Sequence, residues 1–90
     1  MANTTLELFI GSNNTTHVVE VDKLKQILNK YHKGWTMQNA LGSWLGTEED
    51  SVVVTISDGM SKIMQTINEI KVELEQDAVA YREVTPLEFI

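Results

Sequence analysis

The side chains best suited to chemistry in this sequence are two histidines, a run of acids and a single arginine. His17 precedes Glu20 by three residues, which could place two metal ligands on one turn, but two ligands do not complete a site. The acidic run is Glu48, Glu49 and Asp50. We interpret it as part of an exposed turn, where solvent leaves the pKa values of carboxylates ordinary. The sequence has no cysteine and no GxSxG elbow. We therefore predict no catalytic residue, no metal and no cofactor, and we favour a protein that is not an enzyme.

His32 and Arg82 each have a plain structural interpretation. His32 follows Tyr31 at a predicted helix end, where the helix dipole favours a charged imidazole, and we expect it to be partly exposed. Arg82 lies on a predicted strand. It either binds a phosphate or carboxylate group, or pairs with a glutamate across the strands, and we favour the pairing.

Aromatic and amide side chains are the better candidates for binding. Trp35 and Trp44 have opposite parity on one predicted strand, so a regular strand would expose one of them, at a subunit contact or as a stacking platform. Nearby amides and a serine could bond the polar edge of a ligand. The candidate residues for binding a ligand or partner are Trp35, Gln38, Asn39, Trp44, Tyr81 and Arg82.

These residues need a scaffold, and the stretch 34–56 is its centre. The β-branched run in Ser51–Ser57 predicts a strand, and Trp35–Leu45 predicts its partner. Gly42 suggests a bulge or a close approach of another backbone. The polar segment 46–50 is predicted to be the turn between the two strands.

Apolar periodicity predicts the remaining elements. Alternation in Thr4–Ile10 predicts a strand, and a polar loop follows at 11–17, either a plain loop or a weak anion contact. A stripe at helical spacing predicts a helix over Asp22–Lys33, with Gly34 as its left-handed stop. A second stripe predicts a helix from Met60 to Leu74 with its methionines mainly in the core, and a last strand follows at 78–84.

The predicted order β-α-β-β-α-β gives an α+β fold. With right-handed crossovers it forms a ferredoxin-like, four-stranded antiparallel sheet with two helices on one face. The other face would be bare, and exposed apolar area usually marks an interface, so we expect a homodimer or larger assembly. The residues expected on this bare face are Phe9, Trp35 or Trp44, Val53 and Tyr81.

Composition narrows the classes of function. The 90 residues predict a single domain, and the absence of cysteine fits a reducing compartment. Neither a signal peptide nor a membrane-spanning run is evident, so we expect a cytoplasmic protein that does not bind membranes. The formal net charge of −6 argues against generic nucleic-acid binding. Clustered lysines at 23, 25, 30 and 33 are expected to lie on a solvated helix surface.

Several short motifs resemble one group of proteins. They are Phe9-Ile10-Gly11, Gly34-Trp35-Thr36, Ala40-x-Gly42-x-Trp44-x-Gly46, Glu49-x-Ser51-x-Val53 and Gln76-Asp77-Ala78-Val79. This pattern is similar to that of small, uncharacterised ferredoxin-like proteins of bacteria and their phages. The resemblance implies the fold and no catalytic residue.

Three functions are consistent with these observations. The favoured one is a small non-enzymatic binding or inhibitor protein, such as a phage accessory or counter-defence protein. It would mask a host protein or sequester a small nucleotide-like ligand. The second is a cofactor-free, dimeric ferredoxin-like enzyme with His32, Tyr81 or Trp44 in a pocket between sheet and helices. The third is a structural subunit of a larger complex.

Overall fold

The chain folds as an α+β sandwich of one sheet and two helices. A computed structural model describes residues 3–13, 15–16 and 18–85. In chain order the elements are β1 (Thr4–Ile10), α1 (Val21–Tyr31), β2 (Thr36–Trp44), β3 (Thr47–Asp58), α2 (Met60–Glu73) and β4 (Ala80–Glu83). The four strands form an antiparallel sheet in the order β2-β3-β1-β4. The predicted ferredoxin-like βαββαβ fold is confirmed.

One hydrophobic core joins the helices to one face of the sheet. Alternation in β1 and β3 sends every second side chain inward, and the helices supply one buried stripe each. A single cluster results, with the members Leu6, Leu8, Ile10, Leu24, Ile27, Leu28, Val52, Val54, Ile56, Ile63, Ile67, Ile70 and Leu74. Because both helices cover the same face, the opposite face is left open.

The predicted acidic turn was wrong. The turn is Leu45-Gly46, and residues 47–50 belong to β3. Both turn residues have positive φ, 51° at Leu45 and 81° at Gly46, which is typical of a two-residue hairpin turn of type I′. Gly42 pairs with Glu49 in an unbroken register, so the predicted bulge is also absent from this ladder.

The hairpin extends well beyond the rest of the sheet. Strand β1 pairs with β3 only from Val52 to Asp58. Residues 47–51 of β3 pair with residues 40–44 of β2 and with no other strand among the described residues. We call residues 40–51 the hairpin arm.

The helices differ from prediction at their ends. Helix α1 ends at Tyr31, and His32, with φ −130°, already has extended backbone. Gly34 is therefore not the left-handed stop that the sequence predicts, since Gly46 is the glycine with positive φ. On α2, Met60 and Met64 are exposed rather than in the core, while Thr66 is fully buried.

The last strand is shorter than predicted, and Tyr81 lies on the other face of the sheet from the one predicted. Strand β4 covers Ala80–Glu83, and all four of its residues are exposed. Arg82 pairs with Glu7 in the ladder, whereas Tyr81 pairs with the buried Leu8. Tyr81 therefore lies on the helix side of the sheet and not on the open face, which corrects the prediction. The apolar C-terminal residues 87, 89 and 90 lie outside the described residues, as does His17. Within the described part of the chain, neither helix is long and apolar enough to cross a membrane.

Candidate ligand groove on the open sheet face

The open face of the sheet is polar where the sequence predicts an aromatic surface. Register pairs Thr36 with Thr55 and Thr5 with Ser57, so hydroxyl groups from three strands lie side by side. Phe9 and Val53, which also pair, are the apolar residues of the prediction that lie there. A surface of this composition suits a polar ligand better than a large apolar contact.

A groove crosses this face at the end of the sheet where β1 and β2 begin and β3 ends. Its volume is about 750 Å³, within the range of small-molecule sites. Its lining comes from β1, β2, β3 and the segments that flank them, with the residues Asn3, Thr5, Glu7, Gly34, Trp35, Thr36, Gln38, Thr55, Ser57, Val84 and Thr85. Two of the predicted binding residues, Trp35 and Gln38, therefore belong to one site.

Trp35 is held in place at the groove. Its indole Nε1 donates a hydrogen bond of 2.9 Å to Oδ1 of Asn29 in α1. The ring also packs partly against the core. Because α1 and the core lie on the helix side of the sheet, the indole faces that side and not the open face. Trp35 therefore borders the groove at its end and is not the stacking platform on the open face that the sequence allowed.

The charges around the groove are already balanced. Nε of Arg82 donates to Oε1 of Glu7 at 2.7 Å, and its guanidinium carbon lies 5.5 Å from the centre of the Phe9 ring. This is the cross-strand pairing favoured by the sequence. No lysine is among the residues that line the groove. The arrangement offers little attraction to a phosphate, which favours an uncharged or cationic ligand.

The remaining predicted binding residues lie elsewhere. Asn39 borders a smaller hollow of about 380 Å³ together with Val18, Val19 and Val21. Trp44 ends β2 opposite Thr47, at the tip of the hairpin arm. Tyr81 is 56% exposed on the edge strand. The structure therefore does not bring the six predicted residues together.

His32 is buried, contrary to the prediction that it is partly exposed. It retains 5% of its accessible surface. Its Nδ1 lies 2.8 Å from Oδ2 of Asp58, and its Nε2 lies 2.7 Å from Oγ1 of Thr66. The Thr66 hydroxyl in turn donates to the carbonyl of Lys62 at 2.8 Å. These contacts join the end of α1 to the end of β3 and to α2, which is a structural role.

The same network sets the pKa of Asp58. The hydrogen bond from His32, and then that from the backbone N–H of Gly59, hold the pKa of the Asp58 carboxyl below its ordinary value. Asp58 is thus ionised at neutral pH and accepts from Nδ1. Asp58, the partner of His32, ends β3, and Trp44 of β2 pairs with Thr47 at the other end of β3. These ends are about 36 Å apart at ~3.3 Å per residue, so the backbone at Trp44 lies far from His32.

A second charged contact ties the two helices together on the outside. Oε1 of Glu69 accepts hydrogen bonds of 2.8 Å from Nζ of Lys30 and from the hydroxyl of Tyr31. The bond from Lys30, then that from Tyr31, lowers the pKa of Glu69, and the same contact raises the pKa of Lys30. The predicted solvated lysine surface is confirmed, since Lys23, Lys25, Lys30 and Lys33 are all exposed.

The loop after β1 and the side chain of Glu20 are engaged in local hydrogen bonds. Oδ1 of Asn13 accepts the backbone N–H groups of Thr15 and Thr16 at 2.7 and 3.0 Å, so this loop uses those donors itself and not for an anion. Glu20 bonds Asn13 and lies 3.6 Å from Lys23. No group of three metal-binding side chains occurs among the residues that the structure describes.

Several groove residues were missed by the sequence reasoning. Thr5, Thr36, Thr55 and Ser57 are ordinary polar positions of strands whose other face is buried. The signal was the alternation itself, because the polar residues of segments 5–10 and 51–57 all lie on the open face. Alternation does not predict the pairing register, and the register decides which of these residues are neighbours.

The fold and the groove define a ferredoxin-like α+β protein with an open, polar sheet face. No family model matches the sequence, and no curated protein matches it. Solved structures do match. A DUF3240 family protein from Shewanella baltica OS155 aligns with a TM-score of 0.67 and 12% identity, over 99% of this chain and 96% of that one.

Two further matches have comparable coverage. CutA from Synechococcus elongatus PCC7942 aligns with a TM-score of 0.60 and 14% identity, over 97% of this chain and 80% of CutA. A phage SAM lyase in complex with S-methyl-5′-thioadenosine aligns with a TM-score of 0.53 and 13% identity, over 94% of this chain and 91% of the lyase. At these identities the likeness shows the fold alone.

Proposed function

We propose that this chain is a small binding protein that holds a phosphate-free, nucleoside-like molecule in the groove on its open sheet face. The observation that carries the proposal is the grouping of Gln38 with five hydroxyl side chains in one groove that Trp35 borders at its end. The amide and hydroxyls would bond the polar edges of base and ribose, and Trp35 would contact the ligand at the end of the groove.

Charge selects among nucleotide-like ligands. The arginine at the rim is engaged by Glu7, and the chain has a net charge of −6, so added phosphates would be repelled. The molecule in complex with the similar phage SAM lyase, S-methyl-5′-thioadenosine, is a nucleoside without phosphate, and it is a reasonable probe for this groove. The role as an inhibitor, or as a phage protein that masks a host protein, stays a prediction.

Calorimetric titration with adenosine, S-methyl-5′-thioadenosine and AMP tests the proposal. We expect one of the two nucleosides to bind and AMP to bind more weakly. Gln38→Ala removes one ligand hydrogen bond and should weaken binding by about two- to tenfold.

Gln65→Ala is the matched control, because Gln65 is an exposed glutamine on α2, away from the groove, and its loss should leave the affinity unchanged. The proposal fails if neither nucleoside binds at concentrations up to about 1 mM. It also fails if AMP binds more tightly than the nucleosides, or if Gln38→Ala behaves like its control.

A further inference from the structure

The hairpin arm carries apolar side chains that the monomer does not cover. Leu41 is 66% exposed on its helix-side face, and Leu45 is 88% exposed at its tip. No third strand among the described residues pairs with residues 47–51, and a two-stranded ribbon is marginally stable in water. At the base of the arm Ser12 Oγ donates a hydrogen bond of 3.0 Å to the carbonyl of Asp50. A projecting ribbon that ends in leucine is a surface that gains stability when something covers it.

Leu45 is an unfavourable residue for its own turn. With φ at 51° it occupies the left-handed region, which costs a leucine side chain about 1 kcal/mol or more and which asparagine or glycine tolerates. The side chain makes almost no contact within the monomer. The leucine therefore has no stabilising role in the isolated chain.

The helix-side face of the arm is also acidic. In the register, Leu41 pairs with Asp50 and Ser43 with Glu48, so Leu41 and both carboxylates share one face. Two copies of the arm placed against each other would bring these charges together, which is unfavourable. The arm instead fits a surface that is apolar and basic.

Helix α2 presents such a surface on its flank. Met60, Met64 and Lys71 follow at intervals of four and seven residues, are all exposed, and thus form one stripe, which we call the α2 stripe. Glu69, which binds Lys30 of α1, points to a different side of the helix. Exposed methionines adapt readily to the shape of a partner.

We propose that this chain self-associates head to tail, with the hairpin arm of one copy seated on the α2 stripe of the next copy. Leu41 and Leu45 cover Met60 and Met64, while Glu48 and Asp50 lie near Lys71. The contact is heterologous, so it leaves a free arm and a free stripe at the two ends unless a ring closes. This inference does not depend on the proposed ligand.

Sedimentation equilibrium or native mass measurement between about 1 and 100 µM tests the association. We expect the wild type to form dimers or larger species. An arm variant, Leu41→Thr with Leu45→Asn, should associate at least about tenfold more weakly because it loses two apolar contacts. Its substitutions suit a strand and a left-handed turn, so its fold should survive.

A stripe variant, Met64→Glu, should be impaired to a similar extent, since it adds a charge that repels the arm. Val72→Glu is its control, because Val72 is exposed on the same helix but off the stripe. We expect this control to associate like the wild type.

Mixing the arm variant with the stripe variant tests whether the contact is head to tail. The arm variant keeps an intact stripe and the stripe variant keeps an intact arm, so an equal mixture should form dimers of one copy of each. The inference is overturned if the wild type is monomeric at the highest concentration, or if either variant associates normally. It is also overturned if the mixture forms no mixed dimer, which is the outcome that an arm-to-arm contact would give.

Discussion

His32 joins three elements at one end of the sheet through its contacts with Asp58 and Thr66. The sequence places this histidine correctly at the end of α1. Its burial was not predictable from that position, because it depends on where α2 packs, and the polar partners lie 26 and 34 residues away. A polar residue can be buried once its bonds are made, which a pattern based on apolarity does not detect.

Asp58 gives the first prediction, on acid stability. Its folded-state pKa is lowered below the ordinary 3.8. The carboxylate therefore contributes stability above about pH 4 that is lost as pH falls through the folded-state pKa. Chemical denaturation from about pH 6 to pH 2 should show a steeper fall in the free energy of unfolding for wild type than for Asp58→Asn.

Asp77→Asn is the control for this comparison, because Asp77 is exposed. It should retain the wild-type slope below about pH 4. Parallel curves for wild type and Asp58→Asn would show that the contact with His32 does not favour the ionised carboxylate.

At the scale of elements, burial on one face decided which predictions succeeded. The strand Thr4–Ile10 has the predicted bounds, and α2 begins at the predicted Met60, because each has one side in the core. The hairpin arm has no core side, so alternation disappears, and Glu48, Glu49 and Asp50 fit in a strand as well as in a turn. Similarly, the fully exposed β4 offers no burial pattern that could place Tyr81 on the correct face.

The hairpin turn predicts a substitution that stabilises the fold. Leu45→Asn places a residue that tolerates positive φ at the first position of a type I′ turn, before Gly46. We expect the free energy of unfolding to rise by about 0.5–1 kcal/mol. The measurement is chemical denaturation at low protein concentration, where self-association contributes least.

Leu41→Asn is the comparison for the turn variant. It removes another exposed leucine, this one from a strand position, where asparagine is unfavourable, and should lower stability. A loss of stability in Leu45→Asn would show that the turn does not need a left-handed residue there.

At the scale of the whole molecule, charge and shape are distributed unevenly. All six lysines lie on or directly after the helices, while three of the acids are grouped on the arm. The groove lies beside Thr55 and Ser57, and the arm ends at Thr47, so the two candidate sites occupy opposite ends of β3. Thr47 and Thr55 are about 27 Å apart at ~3.4 Å per residue.

This separation predicts that the two proposed activities are independent. Coupling between sites requires an element that both ligands shift, and the regular β3 ladder offers no second arrangement. The arm variant should therefore bind nucleoside within about twofold of the wild-type affinity, and Gln38→Ala should associate like the wild type. Calorimetry measures the nucleoside affinity of the arm variant, and sedimentation measures the self-association of Gln38→Ala. If instead saturating nucleoside changed the association constant by about fivefold or more, linkage requires the arm variant to bind nucleoside with altered affinity, and the groove would then lie at or near the contact between copies.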